Sequence, residues 1–178
     1  MNAWLLLRLA RAEMARNPAV LPVQDLQKGI FSTGGRWMFY WMQILQFDEK
    51  RTLQHGINFA FYGLFKYAIS GAVFLITLFF LWPLGWMYAP LSIICFYAVE
   101  VQLMFLFPLL IDQSPAPLRE SRTMTRSIGT IYTVLVILPI GVFMLLGLFH
   151  WKNPLKHWYL GCLAVVIWYI LERKARNK

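Results

Sequence analysis

Glu100 is the residue whose placement in this chain most directly suggests chemistry. It falls near the middle of an apolar run from Ala89 to Ile111. About 23 residues at a helical rise of about 1.5 Å each reach across a hydrocarbon core of roughly 30 Å. A carboxylate at that depth is costly unless it is neutralised, paired or hydrated. Tyr97 and Gln102 share its helix, Ser70 and Thr77 lie on the preceding run, and Thr130 and Thr133 on the following one. These are its candidate partners, because Lys66 reads as belonging to the end of its own run rather than to the same depth. Two roles fit. One is a proton or cation site, or a general acid, lining a cavity. The other is a neutral carboxylic acid that bridges helices, within the chain or to a partner; under that reading Glu100→Gln is tolerated.

Asp112 is the second candidate acid. It opens a segment in which Pro115 and Pro117 interrupt the helix, and it is expected to pair with Arg119 or to cap the following turn. A new helix can begin at Leu118. On it Arg119, Arg122 and Arg126 fall at i, i+3 and i+7, a single face. Guanidinium forks bind phosphate oxygens in pairs, so this stripe suits phospholipid headgroups or another phosphorylated ligand. The same arginines also serve as ordinary topology-setting charge.

Other chemistries find little support. His55, His150 and His157 all lie outside the deep parts of the apolar runs, so no haem ligation is expected. Cys95 and Cys162 do not form a C-x-x-C pair and read as small buried side chains. There is no phosphate-binding glycine loop, zinc-protease motif, nucleophile elbow or aspartate-rich metal motif. No metal and no cofactor are therefore expected. No internal repeat relates the halves, which argues against a two-fold transporter.

The elements that must hold these residues are membrane helices. The chain is 59% hydrophobic and 17% aromatic, with a mean hydropathy of +0.54; a soluble domain of ordinary composition is excluded. Apolar runs occupy Phe61 to Trp82, Ala89 to Ile111, Ile128 to Phe149, and Trp158 to Leu171. The last is short, but the long stems of Lys156 and Arg173 can extend it by snorkelling. The uncharged connector at residues 83–88 reads as a tight hairpin with interface aromatics, and Pro139 predicts a kink in the third run.

Charge sets the orientation. The formal net charge is +9, but the basic residues flank apolar runs and trace no nucleic-acid groove, so nucleic acid is set aside. With four spans, fifteen Lys and Arg fall on one side and two on the other. Both termini are thus expected in the cytoplasm of a multi-pass protein of the inner (plasma) membrane. The first span is expected to act as its own insertion signal.

Two amphipathic helices precede the spans. Ala3, Leu6, Leu7, Ala10 and Met14 share one face, as do Trp37, Tyr40, Trp41, Ile44 and Leu45. Both helices are expected in the cytoplasmic interface with Trp37, Tyr40 and Trp41 at headgroup level, the alternatives being a partner-docking surface or a lid over the bundle. The predicted organisation is all-α: an interfacial region at 1–60, a four-helix transmembrane bundle at 61–171 and a basic tail at 172–178. The leading functional expectation is a small membrane subunit or assembly partner, with the bilayer, anionic phospholipids and a protein partner or second copy as contacts. The alternatives are a membrane-embedded enzyme acting on a lipid or polyprenyl substrate, with Glu100 or Asp112 as acid/base, and a small proton-coupled carrier using Glu100.

Overall fold

A computed structural model describes residues 2–17, 30–46, 57–149 and 154–176, and every regular element in them is helical. The helices are α1 (Ala3–Arg16), α2 (Ile30–Gln46), α3 (Phe59–Leu81), α4 (Ala89–Gln102), α5 (Leu106–Ile111), α6 (Pro117–Ile128), α7 (Thr130–Leu148) and α8 (Pro154–Arg176). Among the described residues three stretches are long and apolar enough to cross a membrane: Phe59–Leu84, Trp86–Ile111 and Thr130–Gly147. His55, His150 and the acidic-basic run at 48–51 lie outside the described residues.

Local rules explain most boundaries. Asn2 Oδ1 accepts from the Leu5 amide at 2.8 Å and Asn58 Oδ1 from the Phe61 amide at 2.9 Å, so asparagine caps start both α1 and α3. Gly85, at φ +115°, turns the hairpin between α3 and α4. Gly129, at φ +102°, separates α6 from α7 where most residues would be strained. The α7 helix continues through Pro139 as one element.

The second run is not one helix. It breaks into α4 and α5 through a turn at residues 103–105. Pro108 supplies the cause: it has no amide hydrogen to offer the Met104 carbonyl four residues back, and its ring crowds that carbonyl. The break changes the bonding of the carbonyls just after Glu100, Val101 accepting a turn bond from the Met104 amide at 3.3 Å. Helix α6 adds side-chain donors to two of them, with Ser121 Oγ donating to the Gln102 carbonyl at 2.9 Å and Thr125 Oγ1 to the Val101 carbonyl at 3.1 Å.

The core gathers around α8. Leu160, Leu163, Ala164, Val166, Ile167, Trp168, Tyr169 and Ile170 are buried, and α1, α2 and α7 pack on this helix. By contrast, α3 turns Leu64, Leu75, Ile76, Phe79 and Phe80 outward. An apolar outer surface and a buried central helix are the distribution a bilayer solvent favours.

The N-terminal helices pack their apolar faces within the chain. The apolar face of α1 (Ala3, Leu6, Leu7, Ala10) is buried within the chain, as are Trp37 and Trp41 of α2. The Trp37 ring lies 5.1 Å from that of Tyr159 on α8. Only Tyr40 of the three predicted headgroup aromatics is outward, at 50% exposure. The apolar residues buried on these two helices thus join the protein's own core.

Candidate functional site

Glu100 is paired. The Lys66 ammonium lies 2.7 Å from its Oε1, and Ser70 Oγ sits 3.4 Å from Oε2 while also donating to the Lys66 carbonyl at 3.0 Å. This corrects the expectation of a carboxyl without a cation. The antiparallel α3–α4 hairpin sets Ser70 across from Glu100, and Lys66 precedes Ser70 by one turn on the same face. The lysine stem is long enough to climb that turn. Lys66 is 8% exposed, its head 5.6 Å from the Tyr67 ring centroid.

The other candidate partners divide. Ser70 makes the predicted contact. Thr77 returns to the Val73 and Phe74 carbonyls, and Thr133 to the Gly129 carbonyl. Gln102 Nε2 reaches Thr130 Oγ1 at 3.5 Å, a long contact that joins α4 to α7 beside the helix break.

The pair opens on a cavity of about 390 Å³. Phe31 and Met38 of α2, Tyr67 of α3, Phe96 and Tyr97 of α4, Met104 and Phe107 of the broken segment, Ile140 and Met144 of α7, and Trp158 and Cys162 of α8 line it. Its walls are thus almost wholly aromatic, aliphatic or sulfur-bearing, with one ion pair. This is the usual constitution of a small-molecule site: concave, apolar, and carrying a few convergent polar groups.

Glycines shape the walls. A Cβ on Gly141 would stand 2.8 Å from Tyr97 Oη, so the phenol lies directly against the α7 backbone. The Tyr97 hydroxyl makes no hydrogen bond among the described residues, which leaves a donor and acceptor beside the pair. Gly34 has open space where a side chain would project, on the α2 wall of the same cavity.

Asp112 belongs elsewhere. Its carboxylate meets the Arg173 guanidinium and the Tyr169 hydroxyl of α8, not Arg119. The aspartate side chain is 2% exposed and that of Arg173 45%. The group is a tether between the end of α5 and the last turns of α8, and it does not line the cavity. Arg119, Arg122 and Arg126 stand exposed on the outer face of α6, while Ser121, Met124 and Thr125 are buried on its inner face. They too lie apart from the cavity, so the stripe and the acid are two surfaces rather than one active site.

Sequence reasoning passed over Lys66 as the mate of Glu100, although hairpin register could have found it. It also passed over Pro108, the plainest signal that the Glu100 helix is broken. Among the described residues no cluster of His, Cys, Asp and Glu is arranged to hold a metal ion. Comparison with protein-family models, with curated proteins and with solved structures finds no match to this chain.

Proposed function

We propose that this chain is a multi-pass membrane protein that binds a neutral, lipid-soluble molecule through the Lys66–Glu100 pair. The observation that carries the reading is a buried ion pair facing a small apolar cavity, beside a phenol whose hydroxyl makes no hydrogen bond among the described residues. Buried charges are expensive, and such a pair stabilises a fold weakly if at all, so its presence on a cavity wall argues for a use. The polar part of the ligand must match a cation and an anion at once. An anionic head would gain Lys66 but meet Glu100. A neutral hydroxyl or carbonyl head accepts from Lys66 or Tyr97, and a hydroxyl also donates to Glu100. The aromatic and methionine walls suit an isoprenoid, acyl or ring-bearing body. Any reaction at this site would draw on Glu100 and Lys66 as the groups able to exchange a proton with the ligand head.

The reading favours a ligand-binding protein or membrane enzyme over a simple assembly subunit. The groups expected as partner contacts, Trp37, Trp41 and Glu100, are engaged inside the chain. The membrane arrangement that goes with it has α8 as a fourth crossing: its 23 residues span about 34 Å at helical rise. Both termini are then cytoplasmic in the plasma (inner) membrane. Lys66 is inside α3, which leaves fourteen basic residues on the cytoplasmic side against two outside.

The test is to purify the protein in mild detergent, extract what it carries, and identify it by mass spectrometry. The comparison is a Lys66→Met/Glu100→Met double variant of matched fold. A stoichiometric neutral amphiphile in the wild type, lost in the double variant, is the expected result. Equal retention by both, or a defined protein partner with no small molecule, overturns the reading and returns the subunit role.

A further inference from the structure

Helix α6 connects two membrane-spanning stretches, and its two faces do different things. Inward, Ser121 and Thr125 hold the carbonyls of Gln102 and Val101, the residues that follow Glu100 where the helix breaks. Outward, Arg119, Arg122 and Arg126 stand exposed, and no carboxylate among the described residues pairs with them. The end of α8 joins the same surface, with an Arg176 guanidinium nitrogen 3.3 Å from the Met124 carbonyl.

We propose that the outer face of α6 is a docking surface for anionic phospholipid headgroups, and that its occupancy sets the geometry of the helix break beside Glu100. Position selects the occupant. The helix begins six residues beyond Ile111 and ends two before Thr130, both ends of apolar stretches long enough to cross a bilayer, which keeps it at headgroup level. Charge selects the lipid: three forked cations on one face match phosphodiester oxygens, and an anionic layer adds the negative surface potential that a zwitterionic layer, whose phosphates are offset by choline, lacks. The inner face supplies the transmission. A small shift of α6 along the membrane plane carries Ser121 and Thr125 with it, and these side chains are hydrogen-bond donors to the Gln102 and Val101 carbonyls at the break. The inference stands whether or not the cavity takes the ligand proposed above, because its readouts use a lipid and a thiol.

The experiment reconstitutes the full chain, in a Cys95→Ser background, into nanodiscs of phosphatidylcholine alone or with phosphatidylglycerol. Native mass spectrometry after detergent extraction reads the lipid retained. The rate at which N-ethylmaleimide alkylates Cys162, which lines the cavity, reads the cavity. Phosphatidylglycerol should be retained in preference to phosphatidylcholine, and replacing Arg119, Arg122 and Arg126 by Gln should reduce that preference by about tenfold or more at low salt. Wild-type Cys162 should react at different rates in the two nanodiscs. A Ser121→Ala/Thr125→Val variant should keep the lipid preference and lose the rate difference. Unchanged retention in the glutamine variant overturns the docking surface, as does equal displacement of the effect by free phosphate at millimolar concentration. A rate difference that survives in the hydroxyl variant overturns the coupling.

Discussion

Removing either member of the Lys66–Glu100 pair should destabilise the protein, and removing both should largely restore it. At 2.7 Å the gross attraction is about 6 kcal/mol at an effective dielectric of about 20. The two side chains are 10% and 16% exposed, so most of that attraction is offset by the water each charge has given up. The net value of the intact pair is therefore small, whereas the cost of orphaning one charge is not. Soluble proteins lose about 3–5 kcal/mol when one partner of a buried pair is removed. In a bilayer the unfolded reference keeps some polar partners, which lowers the figure to about 2–4 kcal/mol. Glu100→Gln, tolerated if the acid were neutral and unpaired, should thus be clearly destabilising, as should Lys66→Met. The Lys66→Met/Glu100→Gln double variant should lie within about 1 kcal/mol of wild type, a coupling of roughly 3 kcal/mol or more. The assay is reversible unfolding in mixed micelles across the four-member cycle. A coupling under about 0.5 kcal/mol, the ordinary error of additivity, refutes the reasoning.

The Asp112 tether should behave in the same way on a smaller scale, because Arg173 is 45% exposed and screened by solvent: Asp112→Ala removes the acceptor that Tyr169 and Arg173 share and should cost about 1–2 kcal/mol, against about 1 kcal/mol for Tyr169→Phe, in the same unfolding assay. Pro108→Ala restores the amide that the Met104 carbonyl lacks and should lengthen α4 towards α5; slower hydrogen exchange at residues 103–108 would show it, and unchanged exchange would place the cause of the break elsewhere. Gly161→Leu should be strongly destabilising, because the space for its side chain is filled by Met144 and Ile140 of α7, and normal thermal stability would argue against this α7–α8 contact. Reporter fusions at Met87 and Phe149 should give external signals and those at Ser121 and Arg176 cytoplasmic ones; an external signal at Arg176 would remove α8 as a crossing.

What the sequence made legible follows the physics of short range. Apolar runs of twenty-odd residues announce helices on their own, and the three longest reappear as the stretches able to cross a membrane. The α1 and α2 periodicities likewise mark real helices. What they cannot announce is the partner of an apolar face, since lipid and protein core reward the same residues. Trp37 and Trp41 suit a headgroup layer and a buried contact equally well, and Tyr159 decides between them only once α8 is in place. The site shows the same division. Glu100 stands out because of its own neighbours, and Ser70 follows from simple opposition across the hairpin. Lys66 needed the added step of a side chain reaching one turn along its helix. Asp112 needed Arg173, sixty-one residues away, which no local pattern supplies.

The order in which the helices leave the ribosome gives the buried position of α8 a temporal meaning. The first described helix, α1, hides Ala3, Leu6, Leu7 and Ala10 against the last one. Its contact surface therefore does not exist until some 150 further residues have been made, and neither does the surface awaited by Trp37 and Trp41. During that interval two apolar faces are without their destination, and the bilayer interface or an insertion factor is the natural place to hold them. A chain stopped before Pro154 would keep its three most apolar stretches and could still enter a membrane. It would do so as a shell around a missing centre, with α1 and α2 still on the surface and the wall of the Glu100 cavity that carries Trp158 and Cys162 never built.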